Sequence, residues 1–468
     1  MSNHSRSWYS ASLRATLLAV AVACAAQLLH FPDWREAYEL PTSLGLGVAF
    51  AAAAAGFGYV AVQVPGQVLR RVACELAVIG IALVLVETAI AIYQPLQSER
   101  AARRMQAASR LDIDFDARTR SEVVADLRRA GIDAYPGTGS EWPLVPSVRR
   151  RLPAGVYPLS HVGNVTVVEC NESGAWHTFA TDEWGFNNPP GLISGGGIEV
   201  AIVGESYALG HCLPVPESLA GRIRERFPRT ANFGMAGTTT VLELAIFREF
   251  VEPLRPRVVI WTVNPYFVTA ERELRDPVLG RYLDPAFSQD LWGRQDEMDG
   301  LVREISIPVE AEFAEQSALR EREARRARVL GSWRLPKTRE QIRLALPARA
   351  AKRVATDLGT FRDVLVTARQ AAAQWGGELV VVLLPTYAEV VANQIEPDRR
   401  HDSLSRVVTD LGIPVVDGVE LFKSVDDPAS LYTMRINNHP TTEGYAVLAG
   451  PVIDQVRELE KRRQGRAQ

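Results

Sequence analysis

An apolar run, Val200-Ala201-Ile202-Val203, stops abruptly at Gly204-Glu205-Ser206. A buried strand that delivers a serine onto a tight turn holds its hydroxyl above the sheet edge, where a nucleophile has to sit. The same position suits a plain turn or helix-cap serine, so the other parts of an acyl-transfer site must be sought elsewhere in the chain. In a parallel sheet flanked by helices, chemistry gathers at the carboxyl ends of strands. Those ends supply more candidates. A second short strand, 230–233, runs into Gly234-Met235-Ala236-Gly237, and a third, 257–263, stops at Asn264. Near the C-terminus, Asn437-Asn438-His439-Pro440 precedes a helix starting around Thr442 and offers an imidazole as proton acceptor.

The elements that must position these residues follow from hydrophobic period. Short apolar strands are read at 200–203, 230–233, 257–263, 379–384 and 413–416. Between them, amphipathic helices are read at 217–226, 241–250 and about 356–374. Strands buried on both faces and separated by helices imply a three-layer α/β/α, flavodoxin-like domain with a parallel sheet. Residues 268–350 interrupt the alternation with charge and helix formers and read as a helical insertion. Residues 96–150 are charged and helix-like, and 152–197 read as short strands and turns.

Charged residues are scarce before about residue 95 and dense after it. Three apolar segments, 15–31, 44–64 and 72–93, each approach the roughly 20 helical residues that a bilayer core demands. They imply three transmembrane helices, with Glu87 facing other helices or the interface. The expected organisation is therefore a membrane region at 1–95, a connecting region at 96–198 and a catalytic domain at 199–460 carrying the 268–350 insertion. Arginines before and after the apolar segments do not decide the orientation. Near-neutral charge, formally −3, gives no reason to expect nucleic acid. Cys170 and Cys212 would pair in an oxidising compartment and remain thiols in the cytosol.

The four strand-end positions resemble the sequence blocks of the SGNH, or GDSL-like, hydrolase superfamily. Gly204-Glu205-Ser206 stands where the family has Gly-Asp-Ser. Asn232-Phe233-Gly234-Met235-Ala236-Gly237 fits its N-x-G-x-x-G block in full, Asn264 is what survives of its third block, and His439 stands in its last. The resemblance covers about residues 199–455. It implies that Ser206 attacks an ester carbonyl and that His439 takes its proton. The backbone N–H groups of Ser206 and Gly237 and the side-chain amide of Asn264 would then bind the oxyanion. No metal or cofactor is implied.

One departure bears on turnover. The family places an aspartate two or three residues before the histidine, and here Ile436 and Asn437 occupy those positions. Asn437 is the candidate left to orient the imidazole. Two further stretches, Cys170–Gly174 and Asp182–Pro189, resemble membrane-anchored SGNH proteins found with bacterial surface-polysaccharide systems. That likeness implies a bacterial inner-membrane protein with a periplasmic domain, hence a Cys170–Cys212 disulfide. It also implies an O-acylated glycan or glycolipid as substrate, for hydrolysis or acyl transfer, beside a lipid bilayer and polysaccharide-assembly proteins. The alternative expectation is a weakened SGNH fold used as a glycan-binding or assembly component.

Overall fold

The computed structural model describes residues 65–93, 100–268, 271–335, 358–391 and 400–467, with isolated residues before 65. The chain divides into two compact units. One comprises residues 1–99 and 318–353, the other residues 100–317 and 354–468.

The larger unit is built on five parallel strands, β4 (Val200–Val203), β5 (Thr230–Asn232), β6 (Val258–Val263), β7 (Glu378–Leu383) and β8 (Val415–Asp417), in the order β5-β4-β6-β7-β8. Successive side chains of a strand point to opposite faces, and both faces here are apolar. Val200, Ile202, Val258, Ile260, Val380 and Val382 pack against α4 (Leu219–Arg224) and α9 (Thr442–Ala467), through Ile223, Tyr445 and Leu448. Ala201, Val203, Val259, Trp261, Val381 and Leu383 face the other layer: α5 (Thr240–Ile246), α7 (Leu358–Gln374) and α8 (Arg400–Asp410). The result is the α/β/α sandwich expected from the alternation of strands and helices.

A second sheet has the order β1-β2-β3, from Ala134–Pro136, Thr166–Cys170 and His177–Ala180. β1 pairs parallel with β2, and β2 pairs antiparallel with β3. It is preceded by α2 (Arg100–Arg110) and α3 (Arg120–Arg129). Thr119 and Glu122 form a reciprocal capping box at the start of α3, which buries Val123 and Val124 against Val168 of β2.

Of the 268–350 stretch, residues 271–335 are described and are largely helical. Its principal helix is α6 (Gln295–Leu330). Its approach is fixed by Glu249, whose carboxylate accepts from Tyr282 Oη, the Ser288 hydroxyl and the backbone N–H groups of Gln289 and Leu291. Trp292 stacks on Trp184 at 4.3 Å between ring centroids.

In the smaller unit, α1 (Gly66–Tyr93) turns Glu87 inward, while Val78, Ile81, Leu85 and Val86 are each more than half exposed. Thr88 Oγ1 lies 2.8 Å from Ser332 Oγ. Among the described residues no helix is long and apolar enough to cross a membrane. The other two apolar segments, 15–31 and 44–64, lie outside the described residues apart from isolated positions.

Candidate active site

Strand β4 ends at Gly204, and Glu205 caps a single helical turn, Ser206–Leu209, by accepting the N–H of Tyr207 at 3.1 Å. The turn is pinned from two sides. Tyr207 Oη donates to Pro385 O, and Tyr445 Oη donates to Tyr207 O. The neighbouring loop must come close. A Cβ at Gly234 would lie 2.3 Å from Leu209 N, so only glycine fits where that loop crosses the serine turn. Asn232 shapes the same loop by accepting the Gly234 N–H at 2.9 Å.

His439 arrives on the segment between β8 and α9. Its Nε2 lies 2.7 Å from Ser206 Oγ, the reach required of a general base. The acid behind it is not the expected residue. Glu172 Oε2 lies 3.0 Å from His439 Nδ1 and also accepts the His439 backbone N–H at 2.8 Å. Asn437 is exposed and takes no part. The inward places on that loop belong to its neighbours: Asn438 donates from Nδ2 to Thr433 O and accepts from Arg104 Nε. The orienting acid therefore comes from the second sheet, just past the end of β2.

Glu172 is 2% exposed and ion-paired to Arg104 of α2. Burial alone would raise its pKa. The facing His439, and then Arg104, outweigh that and hold it well below the usual carboxylate range. Burial likewise works to lower the pKa of His439, but Glu172, with Glu205 behind it, raises it above the ordinary imidazole value. A base held as imidazolium by a carboxylate is what proton abstraction from a serine produces.

The oxyanion candidates lie on the strands flanking β4. Gly237, at φ +72°, follows β5, and Asn264 ends β6. Asn264 Oδ1 is engaged by the N–H of Tyr266 at 3.0 Å, which leaves the Nδ2 end as its donor toward a substrate. Ser206, Gly237 and Asn264 thus share one carboxyl edge of the sheet.

Cys170 and Cys212 are joined as a disulfide, with Cα atoms 5.5 Å apart. It ties the end of β2 to the loop after the serine turn. Around it lies a second acid–imidazole pair: His211 Nδ1 is 3.1 Å from Glu169 Oε1, and the His211 ring lies 4.4 Å from that of His439. Burial opposes the charge on Glu169, but His211 brings its pKa down to about 2. The His211 backbone N–H donates to Ser206 O at 3.1 Å, while its ring pairs with Glu169 and stands beside the base rather than replacing it.

The Asp182–Pro189 segment turns its polar groups inward. Asp182 accepts the N–H groups of Trp184 and Phe186 and the amide of Asn188. Asn188 then bonds Asn232 in both directions, and Asn187 donates to Leu209 O. The segment is a buttress under the serine turn. Sequence spacing points to neither Glu172 nor Glu205. Glu172 had one available signal, its place two residues after Cys170. Glu205, which accepts the Ser206 hydroxyl, had none beyond standing in the block.

No protein-family model matches the chain, and no curated protein matches it. Solved structures do. A member of the lipolytic protein G-D-S-L family from Veillonella parvula is 9% identical, over 55% of this chain and 97% of its own, with a TM-score of 0.30. A GDSL-like lipase from Bacteroides thetaiotaomicron is 11% identical, over 56% of this chain and 88% of its own, with a TM-score of 0.30. A catalytic mutant of an acetylxylan esterase from Geobacillus stearothermophilus is 12% identical, over 56% of this chain and 94% of its own, at the same TM-score of 0.30. In this chain itself, five parallel strands run in the order β5-β4-β6-β7-β8, with Ser206, Gly237 and Asn264 just past strand ends and His439 on the loop before α9.

Proposed function

We propose that the protein is an SGNH-type serine esterase, or an O-acyltransferase working through the same acyl-enzyme. The observation that carries this reading is the continuous relay from Ser206 Oγ to His439 Nε2 at 2.7 Å and from His439 Nδ1 to Glu172 at 3.0 Å. Ser206 Oγ attacks the ester carbonyl as its proton passes to His439 Nε2. The oxyanion is met by the N–H groups of Ser206 and Gly237 and by Asn264 Nδ2. Each such donor is worth about 3 kcal/mol of barrier. His439 then returns the proton to the leaving oxygen. The acyl group departs to water, or to an acceptor hydroxyl, by the reverse sequence.

The substrate proposed is an O-acylated glycan or glycolipid, and the setting proposed is a bacterial inner membrane with the site on its outer side. Support for this comes from the apolar segments 15–31 and 44–64, the exposed apolar residues of α1 and the Cys170–Cys212 bond. Polysaccharide-assembly proteins are the proposed neighbours. The alternative, a weakened glycan-binding or assembly component, rests on the absent aspartate and the altered third block, and Glu172 bears on the first of these.

The test is acetate release from p-nitrophenyl acetate and from an acetylated oligosaccharide by the full chain, with Ser206→Ala as control. The variant should lose at least about 10³-fold in kcat. Equal rates for the two proteins would defeat the proposal.

A further inference from the structure

Ser206 has one proton and two acceptors. Its Oγ is 2.7 Å from His439 Nε2, and on its other side it donates to Glu205 Oε2. Glu205 is fully buried, and its second oxygen is taken by the N–H of Tyr207. Its carboxylate is thus fixed in place by the cap it makes. A glutamate is one methylene longer than the aspartate usual in this block, and that length lets a residue capping the turn also reach the hydroxyl.

We infer that Glu205 holds Ser206 in a proton-parked resting state and so sets the pH at which the nucleophile becomes available. With His439 as imidazolium, Nε2–H donates to Oγ and the Oγ proton goes to Glu205. Every donor is satisfied and Ser206 cannot be deprotonated by His439. Loss of one proton from His439 to water turns Nε2 into an acceptor. The hydroxyl proton can then swing from Glu205 to Nε2, and attack becomes possible. No bond other than these O–H and N–H bonds changes.

The groups facing His439 can be named from every side. Glu172 follows β2, Glu205 lies on the serine turn, Arg104 reaches in from α2, and His211 lies against the ring with Glu169 behind it. Tyr207 packs at 5.3 Å, with Tyr445 beyond it. Glu172 and Glu205 are the two carboxylates that favour the imidazolium, while burial and Arg104 oppose it. Glu172 is needed to orient the ring. Glu205 is not, so it is the one that can be neutralised while the relay stays intact.

In Glu205→Gln the single amide oxygen stays with the Tyr207 N–H. Its NH₂ then donates to Ser206 Oγ, whose proton has only His439 left to accept it. Removing a carboxylate also makes the imidazolium easier to deprotonate. The acid limb of kcat/KM for p-nitrophenyl acetate should therefore move to lower pH. A shift of one unit raises the rate nearly tenfold, relative to the alkaline plateau, at pH values well below the limb.

An acid limb that stays where it is in the folded variant would overturn the inference. Should Glu205→Gln fail to fold, Glu205→Asp decides. It keeps the charge and the cap but withdraws from Oγ, so its limb should move the same way by a smaller amount, and an unmoved limb counts against. The inference rests on the esterase reading, and the two fail separately. Activity unaffected by Ser206→Ala sinks the reading. An inactive Ser206→Ala with an unchanged Glu205→Gln profile sinks only the role of Glu205.

Discussion

Replacing Glu172 by glutamine poses a problem that the side chain cannot solve. In the wild type, Oε2 accepts two N–H groups of His439, backbone and Nδ1, while Oε1 accepts Arg104. An amide has one oxygen to divide between those two sides. If the oxygen stays with His439, the NH₂ faces the Arg104 guanidinium and the ion pair is gone. If it turns to Arg104, the NH₂ meets the His439 backbone donor and forces Nδ1 to accept. The imidazole proton then sits on Nε2, and the ring cannot take one from Ser206.

Reversing a catalytic tautomer with geometry kept costs on the order of 10⁴ in kcat, about 5 kcal/mol of barrier. Keeping the tautomer but losing the charge costs less, so a fall of about 10³ to 10⁴ is expected. Cutting one partner from a buried ion pair also costs about 3 kcal/mol or more of stability. Initial rates on p-nitrophenyl acetate should therefore be paired with a circular-dichroism melt, and rates compared where both proteins are folded. Asn437→Ala serves as the internal control and should remain within about twofold, because that side chain is exposed. A folded Glu172→Gln within about tenfold of wild type, or an Asn437→Ala falling as far, would refute the assignment of the acid.

Two other perturbations have clear signs. Cys170 and Cys212 close a loop with a sequence separation of 42, for which chain entropy gives about 4 kcal/mol. Cys170→Ser/Cys212→Ser should lower the denaturation midpoint and reduce kcat more than KM, since the bond ends two residues from Glu172. An unchanged midpoint in urea would contradict this. Glu243 is buried against Trp261 Nε1, and burial lifts its pKa to about 8. A carboxyl group raised on folding favours the native state below its unfolded value of about 4.5, and that contribution is lost as pH rises through 8. Glu243→Gln should flatten the fall in stability between those limits, by at most about 5 kcal/mol. Parallel stability curves for variant and wild type across this range would show that Glu243 is not the group responsible.

The sheet was legible because its strands are apolar on both faces and short, and because Gly204 and Asn264 mark where two of them end. Ser206 and His439 were legible for the same reason: each sits at a fixed offset from an element that periodicity reveals. Glu172 was not. It lies 267 residues from His439 in the chain and belongs to a different sheet, so no spacing rule links the two. Asn437 drew the assignment because it occupies the place where an acid usually stands. Burial decided otherwise, turning Asn438 inward and leaving Asn437 in solvent. The Asp182–Pro189 segment was legible as a turn near the mouth of the site, but its hydrogen bonds into Asn232 and Leu209 depend on a fold that brings residues some 20 to 44 apart into contact.

The origin of Glu172 has a consequence for assembly. A fragment starting at Val200 would contain nucleophile, base and oxyanion donors on a complete sheet, yet no acid. The proton relay closes only once the β1–β3 sheet has docked and delivered the residue that follows β2. Catalytic competence would therefore lag behind completion of the five-stranded core and report on docking of its smaller neighbour. A chain that has reached the first state but not the second is folded by most optical criteria and silent by the chemical one.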